Sequence, residues 1–172
     1  MLTIALPKGR IAEETLDKFE KAFGEKFIFE DRKLILEKAG FRFLNVRNQD
    51  VPTYVMHGAA DLGVVGLDVL EEKEYDLIKL LDLQLGKCKV AFGLRKGEEL
   101  DFNKSKITIA TKHEVIAKKF FEQKAMAVEI IKLYGSIELA PLVGLCDCIV
   151  DIVETGETMK QNGLEIGPTI ME

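Results

Sequence analysis

The sequence has no tryptophan, only two histidines and only three cysteines among its 172 residues, and each scarcity removes a class of protein. An odd number of cysteines (Cys88, Cys146 and Cys148), in a sequence that shows no export signal, argues for reduced thiols and against a disulfide framework. Neither His57 nor His113 stands at ligand spacing from the Cys146-x-Cys148 pair, so these thiols read as small buried hydrophobes and not as a zinc site. Long apolar runs are missing too. Stretches such as Cys148–Val150 are broken by charge or glycine far short of the roughly 20 residues that span a bilayer. The start, "MLTIALPKGR", has no basic segment ahead of its apolar stretch and no cleavage signal after it, which points to the cytoplasm and away from a membrane. Nor is there an excess of positive charge. A net charge of -5 argues against general nucleic-acid binding, though not against phosphate ligands, which local amides, a few cations and Mg²⁺ can hold.

What is present is apolar content of 47% in 19.3 kDa, enough to bury one large core or two small ones. "LTIAL" (2–6) reads as a buried strand, followed by Pro7-Lys8-Gly9-Arg10 and by a helix with Ile11, Thr15, Leu16, Phe19 and Phe23 on one face, ending at Gly24. "FRFLNV" (41–46) is a second strand. Asp50 is placed to cap a short helix "VPTYVMHG", and "DLGVVG" (61–66) is a third strand. "DVLEE" reads as a helix, and "YDLIKLL" and "CKVAFGLR" as strands. After the polar stretch "KGEELDFNKSK" (96–106) the alternation restarts: strand "KITIAT", helix "HEVIAKKFFEQKA", strand "AVEIIKL", short helix "IELAPLVGL" and strand "DCIVDIV" (147–153). Strands alternating with helices predict an α/β protein with mostly parallel pairing.

The most informative stretch is "DCIVDIVETGETMKQN". A strand expected to be buried on both faces runs straight into Thr155-Gly156-Glu157-Thr158, where a helix is expected to begin. Unpaired amides at such a start carry positive partial charge and suit an anion. Gly156 permits close backbone approach, and Thr155 and Thr158 add hydroxyl donors. Carboxylates beside a phosphate are costly unless they serve another group. Asp151 and Glu154 suit the vicinal hydroxyls of a ribose, or Mg²⁺ shared with other phosphates. The plainer reading, a helix cap with Asp151 paired to a neighbouring lysine, stands beside it.

"DIVETGET" resembles the phosphoribosyl pyrophosphate (PRPP) loop of phosphoribosyltransferases. The wider context, "ALPKGR", "RKLIL" (32–36), "VRNQDVPTYV" (46–55), "GAADLGVVGLDVL" (58–70), "LGKCKVAFG" (85–93) and "GSIELAPLVGL" (135–145), resembles the ATP phosphoribosyltransferase family in its short form. The resemblance implies a two-lobed, type II periplasmic-binding-protein-like fold with a ligand cleft between the lobes. Residues 1–87 plus 166–172 would form the first lobe, lacking a final strand and helix that the family normally carries. Residues 88–165 would form the second, bearing the PRPP loop. It also implies transfer of phosphoribose from PRPP to N1 of ATP, the first step of histidine biosynthesis, with Mg²⁺ as cofactor.

On that reading Thr155, Gly156, Glu157 and Thr158 hold the 5-phosphate. Asp151 and Glu138 are the catalytic carboxylates that stabilise positive charge on the ribose, Asp151 also serving Mg²⁺ carried by PRPP. Lys8, Gly9, Arg10, Arg32, Arg47 and Asp68 serve the pyrophosphate or ATP. The implied partners are a histidyl-tRNA synthetase-like regulatory subunit and a second catalytic chain in a homodimer. Two other readings share parts of the pattern. A solute-binding module would share the fold and a purine salvage transferase the loop, but the first has no obvious use for a phosphate loop beside Asp151, and the second lacks the "PKGR" and "GSIELAP" blocks.

Overall fold

The computed structural model describes residues 1–172 and divides into two compact units, Met1–Gly86 and Lys87–Glu172. In the first unit, β1 (Leu2–Pro7) buries Ile4, Ala5 and Leu6 in succession, as a strand covered on both faces must. Helix α1 (Arg10–Phe23) lays Ala12, Thr15 and Leu16 against the sheet and stops at Gly24, whose left-handed backbone (φ 71°) lets its N–H donate to the Glu20 carbonyl. Strand β2 (Ile35–Lys38) pairs antiparallel with β3 (Phe41–Val46) through a turn at Ala39-Gly40, both at positive φ. Then come α2 (Val51–Met56), β4 (Leu62–Gly63) and α3 (Leu67–Lys73). The sheet order is β2-β3-β1-β4, with β1 parallel to both β3 and β4. One face is filled by an aromatic cluster in which Phe19 lies 5.2 Å from Phe41 and 5.1 Å from Phe43, edge to face. The other packs Ala5, Val51 and Ala60.

The second unit contains β5 (Lys89–Arg95), β6 (Ile107–Thr111), α4 (Glu114–Gln123), β7 (Val128–Lys132), α5 (Leu139–Leu142), β8 (Cys148–Val153), α6 (Glu157–Gln161) and β9 (Leu164–Met171). Its order is β7-β6-β8-β5-β9; β6 is parallel to β7 and β8, and β5 is antiparallel to β8 and β9. Phe92, Ile109, Ile116, Phe121 and Val150 form the core under α4. Ala110, Ile137, Ala140, Ile149, Val153 and Met159 form the opposite core, which seats α5 and α6. Alternate residues of β6 and β8 serve opposite faces, so the strand holding the phosphate-loop candidate is fixed from both sides.

Four expectations are corrected. Residues 166–172 belong to the second unit and not the first, because β9 hydrogen-bonds along β5 and buries Leu164, while Ile170 and Met171 pack on the Phe92 core; Lys87 also falls in the second unit. "YDLIKLL" forms no strand: Ile78, Leu80 and Leu81 are exposed and no ladder claims them. "DLGVVG" is a strand only at Leu62-Gly63, where Gly63 is held against Val51 and Val55 so closely that a Cβ would lie 2.7 Å from Val51 Cγ1. Strand β8 is not buried on both faces to its end, since Ile152 is exposed beside Asp151. Cys146 and Cys148 are buried free thiols, and burial pushes Cys148 up to about 12, the behaviour of small hydrophobes.

Candidate functional site

Strand β8 delivers Asp151 two residues before its end, and the chain then turns through Glu154-Thr155-Gly156 into α6. Gly156 is required there twice over. Its φ of 79° strains any residue that carries a Cβ, and a Cβ built on it would meet Ile166 Cδ1 of β9 at 2.3 Å. The turn is tied further by the Thr155 hydroxyl, which accepts from the Glu157 N–H at 3.3 Å. A pocket of about 300 Å³ opens at this point, lined by Glu138, Asp151, Thr155, Gly156 and Thr158, with Glu154 and Met159. Of the second-unit residues expected from sequence, the fold thus brings both carboxylates, both threonines and the glycine to one cavity. Glu157 does not line it: its carboxylate accepts from Gln161 Nε2 on the outside of α6.

Asp151 is largely shielded from solvent. One carboxylate oxygen, Oδ1, accepts from the Ile152 N–H at 2.9 Å and stands 3.8 Å from His113 Nε2. Burial raises its pKa above the usual carboxylate range and Glu138 adds to this, while the Ile152 N–H, Lys112 and His113 pull it back. Glu138 reaches the pocket from the residue preceding α5, whose seat on the core is fixed by buried Ile137 and Ala140. Sequence reasoning passed over His113, Thr111 and Ile166. The first two are hidden in an ordinary strand-to-helix junction, and only the fold shows that this junction abuts Asp151.

The first unit gathers a different set. Lys8, Gly9 and Arg10 follow the carboxyl end of β1, and Arg47 follows the carboxyl end of the parallel neighbour β3, where Lys8 N–H donates to the Val46 carbonyl at 2.8 Å. Arg32 sits at positive φ in the turn leading to β2, whose first residue Ile35 pairs with Leu44 near that same end. These four cations therefore share one end of the sheet, with Gly9 at φ 99° in a conformation that only glycine holds without strain. Exposed Arg10 is engaged by half-buried Glu14 at 3.3 Å. Asp68 is buried in the first turn of α3 and makes no cap hydrogen bond; its Oδ1 lies where a Gly66 Cβ would come within 2.2 Å. It does not cap α3, and its carboxylate fills the space left by Gly66.

No group of three or more His, Cys, Asp or Glu side chains is placed to hold a metal ion. The oxygen donors of Asp151 and Glu138 suit a hard cation that reaches the pocket with most of its ligands already supplied by phosphates and water.

The ATP phosphoribosyltransferase family profile matches residues 47–172. The ATP phosphoribosyltransferase of Wolinella succinogenes is 70% identical over 172 residues, all of this chain and 84% of that protein. The chain belongs to the ATP phosphoribosyltransferase family. The Sulfurovum sp. enzyme of the same name is 67% identical, again over the whole chain and 84% of its own length. Among solved structures, the ATP phosphoribosyl transferase (HisG:HisZ) complex from Thermotoga maritima superposes with a TM-score of 0.82 at 40% identity, covering 99% of this chain and 83% of that one. The substrate binding protein of an amino acid ABC transporter gives a TM-score of 0.56 at 13% identity over 96% of this chain and 76% of that one, a likeness of fold alone. The fold is thus the two-lobed, type II periplasmic-binding-protein-like kind. No helix is long and apolar enough to cross a membrane.

Proposed function

We propose that this protein transfers the phosphoribosyl group of PRPP to N1 of ATP, releasing pyrophosphate and giving N1-(5-phosphoribosyl)-ATP, the first step of histidine biosynthesis, in the cytoplasm. The observation that carries this for the chain's own residues is the pocket at the end of β8, where three carboxylates, Glu138, Asp151 and Glu154, adjoin a glycine turn with two hydroxyls. Thr155, Gly156 and Thr158 hold the 5-phosphate by backbone amides and hydroxyls, with Glu157 contributing its amide only. Asp151 accepts from the ribose hydroxyls; its partial burial makes a ligand that supplies donors worth more there than in water. As the bond to pyrophosphate lengthens, positive charge grows on the ribose ring, and Asp151 and Glu138 are the negative groups of the pocket assigned to offset it.

N1 of adenine carries no proton, so no general base is needed, and the protein's work is to position two polyanions and neutralise the leaving group. Lys8, Arg10, Arg32 and Arg47 supply that neutralisation, with Gly9 admitting a phosphate to the backbone, while Asp68 shapes the turn beside them. Magnesium bound to PRPP lowers the charge on the pyrophosphate when present. The Thermotoga maritima structure is a HisG:HisZ complex; a regulatory subunit of that kind, related to histidyl-tRNA synthetase, and a second catalytic chain are the partners we assign here.

The test is product formation from PRPP with ATP or with free adenine as acceptor, with the regulatory subunit added in parallel. Phosphoribosyl-ATP and pyrophosphate should appear in equal amounts with ATP and nothing with adenine. Reaction with adenine and not with ATP would make the protein a salvage transferase.

A further inference from the structure

His113 is one of only two histidines in the chain and is 8% exposed, and its imidazole makes no side-chain hydrogen bond. It occupies the residue before α4 but makes no side-chain cap hydrogen bond to that helix, and it belongs to no metal-binding group. Its imidazole Nε2 instead stands 3.8 Å from Asp151 Oδ1. We propose that His113 is a positioning residue for Asp151, holding Oδ1 on the buried side so that Oδ2 is presented to the ribose hydroxyls of PRPP.

The backbone beneath it is built for this. Thr111, fully buried at the end of β6, donates its hydroxyl to the Val150 carbonyl at 2.6 Å, and the same oxygen accepts the His113 N–H at 2.9 Å. Thr111 and Val150 are also partners in the parallel β6–β8 register. The His113 backbone, from which the imidazole projects, is thereby tied to the residue immediately before Asp151. An aspartate carboxylate rotates in a broad, roughly two-fold well, and one hydrogen bond from the adjoining Ile152 amide leaves that rotation weakly restrained. An imidazole on the same oxygen restrains it from a second direction. At 3.8 Å the pair is longer than a hydrogen bond, and a movement of about 1 Å on ligand binding closes it, as is common where a site tightens around substrate. Both contacts fall on Oδ1, so Oδ2 is the oxygen left for a ligand.

This inference rests on the assignment of the pocket to PRPP, and its test separates the two. Steady-state kinetics would be measured on the full chain, with the regulatory subunit in every arm, for wild type, His113→Phe, His113→Gln, Asp151→Asn and each His113 change combined with Asp151→Asn. Phe keeps the ring and removes the donor; Gln returns an N–H. The expected result is a fall of about tenfold in kcat/KM for PRPP with His113→Phe, an unchanged KM for ATP, recovery of most of the loss with His113→Gln, and less than about a twofold further change when His113→Phe is added to Asp151→Asn. Wild-type kinetics for His113→Phe, no rescue by Gln at equal melting temperature, or losses that multiply in the double variant would overturn the inference. Should His113→Phe fail to fold, His113→Leu, which likewise removes the donor, takes its place with and without Asp151→Asn and decides by the same non-additivity. Unaltered kcat/KM for PRPP in Asp151→Asn would instead remove the pocket assignment itself.

Discussion

Replacing Gly156 by alanine tests how the loop is built before any ligand is considered. At φ 79° an L-residue is strained by roughly 1–2 kcal/mol. The new Cβ would sit 2.3 Å from Ile166 Cδ1, the flexible end of a half-exposed side chain, so Ile166 must leave its rotamer at a cost of about 1 kcal/mol. Together these come to about 2–3 kcal/mol, and at roughly 4–8 °C per kcal/mol for a unit of this size the expected fall in Tm is about 10–20 °C. Calorimetric unfolding measures it. Adding Ile166→Val removes Cδ1 and should return about 1 kcal/mol, leaving the backbone strain in place. A Gly156→Ala protein that melts within about 2 °C of wild type would refute the reasoning, because neither the positive φ nor the contact with β9 would then constrain the turn.

Asp151→Asn should raise stability at neutral pH in PRPP-free and metal-free buffer while weakening PRPP binding. The folded carboxyl has a raised pKa, so its ionised form costs stability. That cost is absent below the unfolded value, grows as pH rises through the raised one and is full above it. The advantage of the Asn variant should therefore vanish in acid, and a wild type that is the more stable at pH 7 would contradict it. Thr111→Val removes a 2.6 Å hydrogen bond and leaves the Val150 carbonyl and the His113 N–H without their side-chain partner. Denaturant unfolding should show a loss of about 1–3 kcal/mol, and a loss below about 0.5 kcal/mol would argue against the β6–β8 tie. Iodoacetamide at pH 8 should modify half-buried Cys88 well before Cys148, whose thiol is held near 12; mass spectrometry showing the reverse order would contradict its burial.

The alternation of strands and helices was legible because most buried elements carry their period openly: "FRFLNV" is β3 and "KITIAT" contains β6 without adjustment. The failures share a cause. "YDLIKLL" has strand composition, but a strand exists only where a partner edge is offered, and composition says nothing of that. "LEIGPTIM" contains a glycine and a proline that weaken its strand signal, yet it becomes β9. Gly167 lies where a Cβ would be 3.0 Å from Phe92 Cβ, so the glycine allows the close approach to β5 that the ladder needs. That Asp151, Thr155, Gly156 and Thr158 share one pocket could be read because glycine, hydroxyl and carboxylate stand within a few residues of one another. His113 could not, since 38 positions of sequence separate it from Asp151 and only the β6–β8 register brings them together.

The central claim is that the turn after β8 holds the 5-phosphate of PRPP. The most direct measurement is an NMR titration of the ¹⁵N-labelled protein with ribose 5-phosphate, and with ribose as control. The account predicts that the amide signals of Thr155, Gly156, Glu157 and Thr158 shift most, that Ile152 shifts with them through Asp151, and that ribose alone moves none of these. Shifts centred on Lys8, Gly9 and Arg10 with the turn unmoved would contradict it.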